Sequence, residues 1–112
     1  MTTAEERLIA DRAGTLELLA SLRRDWDGVV EASAQSNADD EHDPEGATIA
    51  FERARIEASL TRARTRLAEI EDALRRLAAD AYGTCERCGG PIAEARLEAR
   101  PTARTCVTCP PA

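Results

Sequence analysis

From Ile49 to Leu77 an apolar residue returns every seven positions: Ile49, Ile56, Ala63, Ile70 and Leu77. Leu60, Leu67 and Leu74 fill the position three or four residues along, with Arg and Glu elsewhere. A seam sustained over four heptads is the signature of a helix packed against another helix as a coiled coil. Asp43 suits the N-cap of this helix and Pro44 its first position, where the missing N–H is no loss. At the far end Gly83, just past Tyr82, suits the left-handed capping position.

A partner for that seam lies upstream. Thr3-Ala4-Glu5-Glu6 fits a capping box, with Thr3 bonding the amide of Glu6 and Glu6 reaching back. Behind it Ile9, Leu16 and Val30 share one heptad position, Leu19 and Trp26 share the neighbouring one, and Arg23 interrupts the first row. Gly14 and Gly28 each cost about 1 kcal/mol relative to Ala, so this helix is weakest after Gly28. Two seams joined by a polar link fit either an intramolecular antiparallel hairpin or a parallel dimer. Asp43-Pro44 and Gly46 disfavour one continuous rod, because the residue before Pro avoids the helical region. The expectation is a mostly α fold, a long antiparallel hairpin. Helices of ~34 residues at ~1.5 Å each make an arm ~50 Å long. Oligomeric state is not set by the pattern.

One Phe, one Trp and one Tyr in 112 residues cannot fill a thick core, so a thin seam needs a metal or repetition to support it. The start, Thr2 to Arg7, is polar and unlike a signal peptide, and no run approaches the roughly 18 apolar residues of a membrane span. A cytoplasmic protein is expected, where cysteines are more often metal ligands than disulfides. Cys85-Glu86-Arg87-Cys88 and Cys106-Val107-Thr108-Cys109 are two CxxC pairs separated by 17 residues, inside the range of a four-thiolate zinc site. Each knuckle points two sulfurs at one ion, and Gly89-Gly90 allows the tight path around it. Four protein ligands leave no open coordination position, so the one Zn²⁺ is structural. The chain then divides into a coiled-coil hairpin, 3–81, and a zinc-finger module, 82–112. Metal removal is expected to unfold residues 82–109. A redox dithiol would need a βαβ context that is missing. With no Gly-rich phosphate loop and no nucleophile–His–acid set, an enzyme is the weakest class.

Charge is segregated. From Asp25 to Glu52 there are nine acids and no Arg or Lys, whereas elsewhere fifteen Arg face twelve acids, for a net −6. Net acidity argues against direct sequence-specific DNA binding, which needs a basic footprint; no membrane contact is expected either. The block falls at the hairpin tip, near 37–48. Its bland reading is a solvated, solubilising turn. Its functional reading, with Asp40, Glu41, Asp43 and Glu45 as candidates, is a carboxylate tip suited to a positively charged pore and a metal. His42 reads as a solvated loop residue, and Trp26 and Phe51 as packing. Arg53, Arg55, Arg62, Arg64 and Arg66 are either surface charge or contacts to an acidic partner. Arg96 and Arg100 either brace the finger against the coiled coil or contact a partner.

Tyr82-Gly83-Thr84-Cys85-Glu86-Arg87-Cys88-Gly89, Ile92, Arg96 to Ala103, and Cys106-Val107-Thr108-Cys109 closely resemble the zinc-finger signature of the DksA/TraR family. The preceding hairpin with its acidic turn is similar to that family's coiled coil. The resemblance implies a transcription regulator that binds bacterial RNA polymerase, with the hairpin in the secondary channel and the tip near the active-site magnesium. Arg53, Arg55, Arg96 and Arg100 are then polymerase contacts. It also implies an effect on open-complex stability, often together with ppGpp, the alarmone of the stringent response. Three departures bear on this. The family's tip pattern D-x-x-D-x-A, aligned on Asp43, puts its second Asp on Gly46 and its Ala on Thr48, with Glu45 as a substitute carboxylate. The terminal helix after the finger and the extra N-terminal segment are also lacking. The last two weigh against ppGpp co-binding, and the first against the family's regulatory output. The alternative is a coiled-coil and zinc-finger interaction module for a different partner.

Overall fold

The computed structural model describes residues 2–36 and 44–111, with the backbone alone for residues 36 and 44–46. Two long helices, α1 (Ala4–Ser36) and α2 (Pro44–Ala78), are followed by a short helix, α3 (Glu94–Ala99). Among the described residues there is no strand, only an isolated bridge between Thr84 and Pro91. Among the described residues no helix is long and apolar enough to cross a membrane. Two compact units emerge: Met1–Gly14 with Arg66–Ala112, and Thr15–Thr65.

In the Thr15–Thr65 unit, Leu22 of α1 is buried against Ile56, Leu60 and Ala63 of α2, flanked by Leu19, Trp26 and Val29. In the other unit, Leu8 of α1 is buried against Ile70 and Ala73, flanked by Leu74, Leu77 and Tyr82. Early residues of α1 meet late residues of α2, so the pair is antiparallel, the arrangement expected from the break at Asp43-Pro44 and Gly46 and not from the heptads alone. The α2 seam is the one expected, with Ile56, Leu60, Ala63 and Ile70 all buried. Ala73 joins it with no exposed surface.

The α1 seam differs from expectation by one residue. Ile9 (52%), Leu16 (44%) and Val30 (41%) are exposed. The buried row is Leu8, Thr15 and Leu22, continued by the partly buried Val29. This row contains no charged side chain, whereas Arg23 would have had to enter the seam in the other register. Burying one Arg head in an apolar stripe costs more than burying one Thr, which can be hydrogen-bonded. Leu19 and Trp26 lie where the pattern places them. The helix runs on past Gly28 to Ser36.

Both predicted helix starts have a physical basis. The Glu6 amide donates to Thr3 Oγ1 at 3.1 Å, the first half of a capping box. The second half is altered: Glu6 accepts from the Thr3 hydroxyl at 3.0 Å instead of reaching the Thr3 amide. Pro44 is the first residue of α2. Asp43, its expected cap, lies outside the described residues.

The end of α2 corrects the expectation. Asp80, with φ of 56°, takes the left-handed position, and Gly83 does not. The Ala81 amide donates to the Arg76 carbonyl at 2.8 Å and the Asp80 amide to Leu77 at 3.3 Å, the paired bonds of a Schellman cap. Aspartate tolerates this conformation better than most side chains. Gly83 is also left-handed, φ 84°, but it serves the finger, where its carbonyl accepts from the Ile92 amide at 2.8 Å.

Candidate metal centre

The finger begins where α2 stops. The Cys85 amide donates to Gly90 at 2.8 Å and the Gly89 amide to Cys85 at 3.0 Å, closing the first CxxC into a knuckle. Gly89 has φ of 72°, a conformation that a β-carbon resists. The second CxxC closes through the Cys109 amide to Cys106 at 3.2 Å. The Glu86 amide donates to the Arg104 carbonyl at 2.9 Å, which ties the approach to the second knuckle onto the first.

These turns bring the sulfurs of Cys85, Cys88, Cys106 and Cys109 within 4.8 Å of one another. Cys88 Sγ and Cys106 Sγ are 3.8 Å apart, matching the edge of about 3.8 Å that follows from a tetrahedron with Zn–S near ~2.3 Å. Donors also point at the sulfurs. The Gly90 amide lies 3.4 Å from Cys88 Sγ, and the Thr108 hydroxyl 3.1 Å from Cys106 Sγ. Such donors stabilise sulfur in the thiolate form that a metal requires. Backbone hydrogen bonds from Cys88 and then Cys106 lower the Cys85 pKa. The Thr108 hydroxyl and amide bring Cys106 down to about 6. Hydrogen bonding to Cys106 and then Cys85 pushes Cys109 up to about 12. The four groups fit one Zn²⁺, which supplies a structural crosslink and no reactive position. Cys85 is buried with Ile92 and Leu97, flanked by Tyr82, Ala103, Cys106 and Cys109. Thus α3, through Leu97, gives the site its apolar floor.

Residues 81–109 match the family described as "Prokaryotic dksA/traR C4-type zinc finger". Over 93% of its length the chain also matches the solved structure of transcription factor DksA2 from Pseudomonas aeruginosa, at TM-score 0.57 and 28% identity, covering 80% of that chain. The finger is thus of the DksA/TraR C4 type. Among the family's RNA polymerase-binding transcription factors named DksA, that of Caulobacter vibrioides is 55% identical over 42 residues, 38% of this chain and 30% of the relative. That of Haemophilus influenzae is 46% identical over 48 residues, 43% of this chain and 33% of the relative. These sequence matches span about a third of the length of each relative.

The other candidate residues are placed as follows. Asp40, Glu41, Asp43 and His42 lie outside the described residues, as does the side chain of Glu45. Arg53 sits over the Trp26 ring, 5.4 Å from its centroid, so Trp26 has a packing role and a cationic lid. Phe51, expected to pack, is 71% exposed. Arg55 pairs with Glu52 at 2.6 Å, and that hydrogen bond lowers the Glu52 pKa. Arg96 Nε donates to the Thr105 carbonyl at 2.9 Å, bracing α3 to the loop before Cys106 within the finger. The Arg100 side chain is exposed.

Sequence reasoning missed the residues that anchor the finger. Tyr82 Oη donates to the Pro101 carbonyl at 2.8 Å. Arg76 reaches the Thr102 and Ala103 carbonyls at 3.4 and 3.5 Å, and its Nε bonds Asp72 at 3.0 Å. Arg66 donates to Thr102 Oγ1 at 3.1 Å. The only signal was that Arg66 and Arg76 lie on α2 within a turn or two of seam residues. Their partners in the finger lie 26 to 36 positions away, beyond any local pattern.

Proposed function

We propose that this chain is a bacterial, cytoplasmic transcription regulator that binds RNA polymerase and is not an enzyme. The observation that carries it is a DksA/TraR finger, residues 81–109, standing on an antiparallel helix pair like that of transcription factor DksA2. In this proposal the segment joining α1 to α2 enters the polymerase secondary channel and carries Asp40, Glu41, Asp43 and Glu45 toward the catalytic magnesium, changing open-complex stability. Carboxylates favour such a metal-bearing, cationic pore and disfavour phosphate, so the chain acts through polymerase and not by reading DNA. Arg53, Arg55 and Arg100 supply contacts to the channel rim, while Arg96 holds the finger's shape.

The deciding experiment is the lifetime of promoter open complexes on purified bacterial RNA polymerase. The chain shortens that lifetime, Asp43→Ala restores it, and another secondary-channel factor competes for binding. Simultaneous occupancy of one polymerase by both factors would refute the channel, and no binding at all would favour an interaction module for a different partner.

A further inference from the structure

Arg66 of α2 has two holds in different parts of its unit. One terminal nitrogen donates to Asp11 Oδ2 of α1 at 3.1 Å, and the other to Thr102 Oγ1 of the finger at 3.1 Å. A guanidinium is a rigid fork, so the geometry that serves one partner is set by the other. Freeing Thr102 therefore loosens the grip on Asp11.

The position of Thr102 depends in turn on the metal centre. It lies between Pro101, which is buried, and Ala103, which packs against the cluster of Cys85, Ile92 and Leu97 beside Cys106 and Cys109. The following residue, Arg104, is bonded through its carbonyl to the first knuckle at Glu86. Closing four sulfurs on one ion fixes the far end of this short path, at Cys106, while Tyr82 holds the near end at the Pro101 carbonyl. Opening them releases Cys106 and the segment leading to it.

We infer that Arg66 is a positioning residue that couples zinc occupancy of the finger to the pairing of α1 with α2 beside it. Leu8, Ile70 and Ala73 provide pairing there that is apolar and independent of metal. The Arg66 bridge adds a part that exists only while the finger is closed. Coupling is reciprocal, so whatever zinc does for the Asp11 contact, Arg66 does for zinc retention. Both side chains of the ion pair are about 40% exposed, which limits the effect. About fivefold is expected, at the weak end of couplings between sites.

The test uses the full chain, its Arg66→Gln variant and its Thr102→Val variant. Native mass spectrometry first establishes one zinc per chain; a wild-type chain without zinc sinks the metal centre and the relay together. Zinc loss to excess chelator is then timed, and hydrogen exchange of the α1 amides around Asp11 is followed in loaded and stripped protein. In the wild type, stripping speeds exchange around Asp11 while amides around Leu22 hold. In Arg66→Gln the loaded protein already exchanges there like stripped wild type, and zinc leaves about fivefold faster. Thr102→Val, which alters neither helix, does the same. The relay is overturned if either variant retains zinc like wild type, if stripping leaves the Asp11 region unchanged, or if amides around Leu22 loosen equally.

Discussion

Tyr82 Oη donates to the Pro101 carbonyl at 2.8 Å, joining the segment just past α2 to the segment just past α3. The ring meanwhile packs against both the Leu8 cluster and the Cys85 cluster. Burial raises the phenol's pKa, and Arg7 and Arg76 pull it part of the way back. The group therefore stays protonated and donating through neutral pH. Tyr82→Phe keeps the packing and deletes the donor, leaving a partly buried carbonyl short of a partner. A loss of about 1 kcal/mol is expected, read as a lower urea midpoint at unchanged slope.

The register of α1 can be read from two leucines. Leu22 is 7% exposed and Leu16 44%, so truncating them should have unequal consequences. Leu22→Ala is expected to cost about 2–4 kcal/mol, and Leu16→Ala under about 1 kcal/mol. Thermal or urea melts of the two variants decide it; equal losses would restore the register read from Ile9, Leu16 and Val30.

That register shows where the sequence was legible and where it was not. The α2 row is apolar at every heptad, so the strongest pattern was the right one. On α1 two adjacent rows look alike: one has a Thr at position 15, the other an Arg at 23. Only contact with α2 separates them. The CxxC spacing specified the four ligands before any geometry was known. By contrast α3 is six residues long, too short for periodicity to reveal, and the grips of Arg66 and Arg76 join side chains far apart in sequence. Gly83 drew attention as a helix stop because glycine is the usual left-handed residue, yet Asp80 took that place three residues earlier.

Asp80 gives a second stability test. Its left-handed backbone carries a cost that glycine avoids, so Asp80→Gly should stabilise by roughly 0.5–1 kcal/mol. A β-branched replacement, Asp80→Val, should lose more than about 1 kcal/mol. Opposite signs in the two melting temperatures are the expected outcome; a loss in both would mean the aspartate side chain matters more than its backbone.

Zinc removal should divide the molecule. Chelation is expected to open residues 82–109, seen as faster hydrogen exchange and four titratable thiols, while the Leu22–Ile56 cluster remains protected. Protons compete with the metal for thiolates. Cys109, pushed up to about 12 by hydrogen bonds to Cys106 and Cys85, is protonated at neutral pH, so zinc has to displace that proton. Retention should fall as pH drops, and a pH-independent rate of zinc loss between pH 5 and pH 8 (about the range where protons and zinc compete) would contradict the four-thiolate site.

Three of the bonds that hold the finger segment, those to Pro101, Thr102 and Ala103, end on main-chain carbonyls. A carbonyl is the same whatever residue bears it. Apart from Thr102, whose hydroxyl Arg66 uses, the anchored loop can therefore change its side chains without loosening its attachment, whereas Tyr82 and Arg76 cannot. Mutational tolerance is thus distributed unevenly: the grip is written on one side of the junction, and the other side is left free to diversify its outward face.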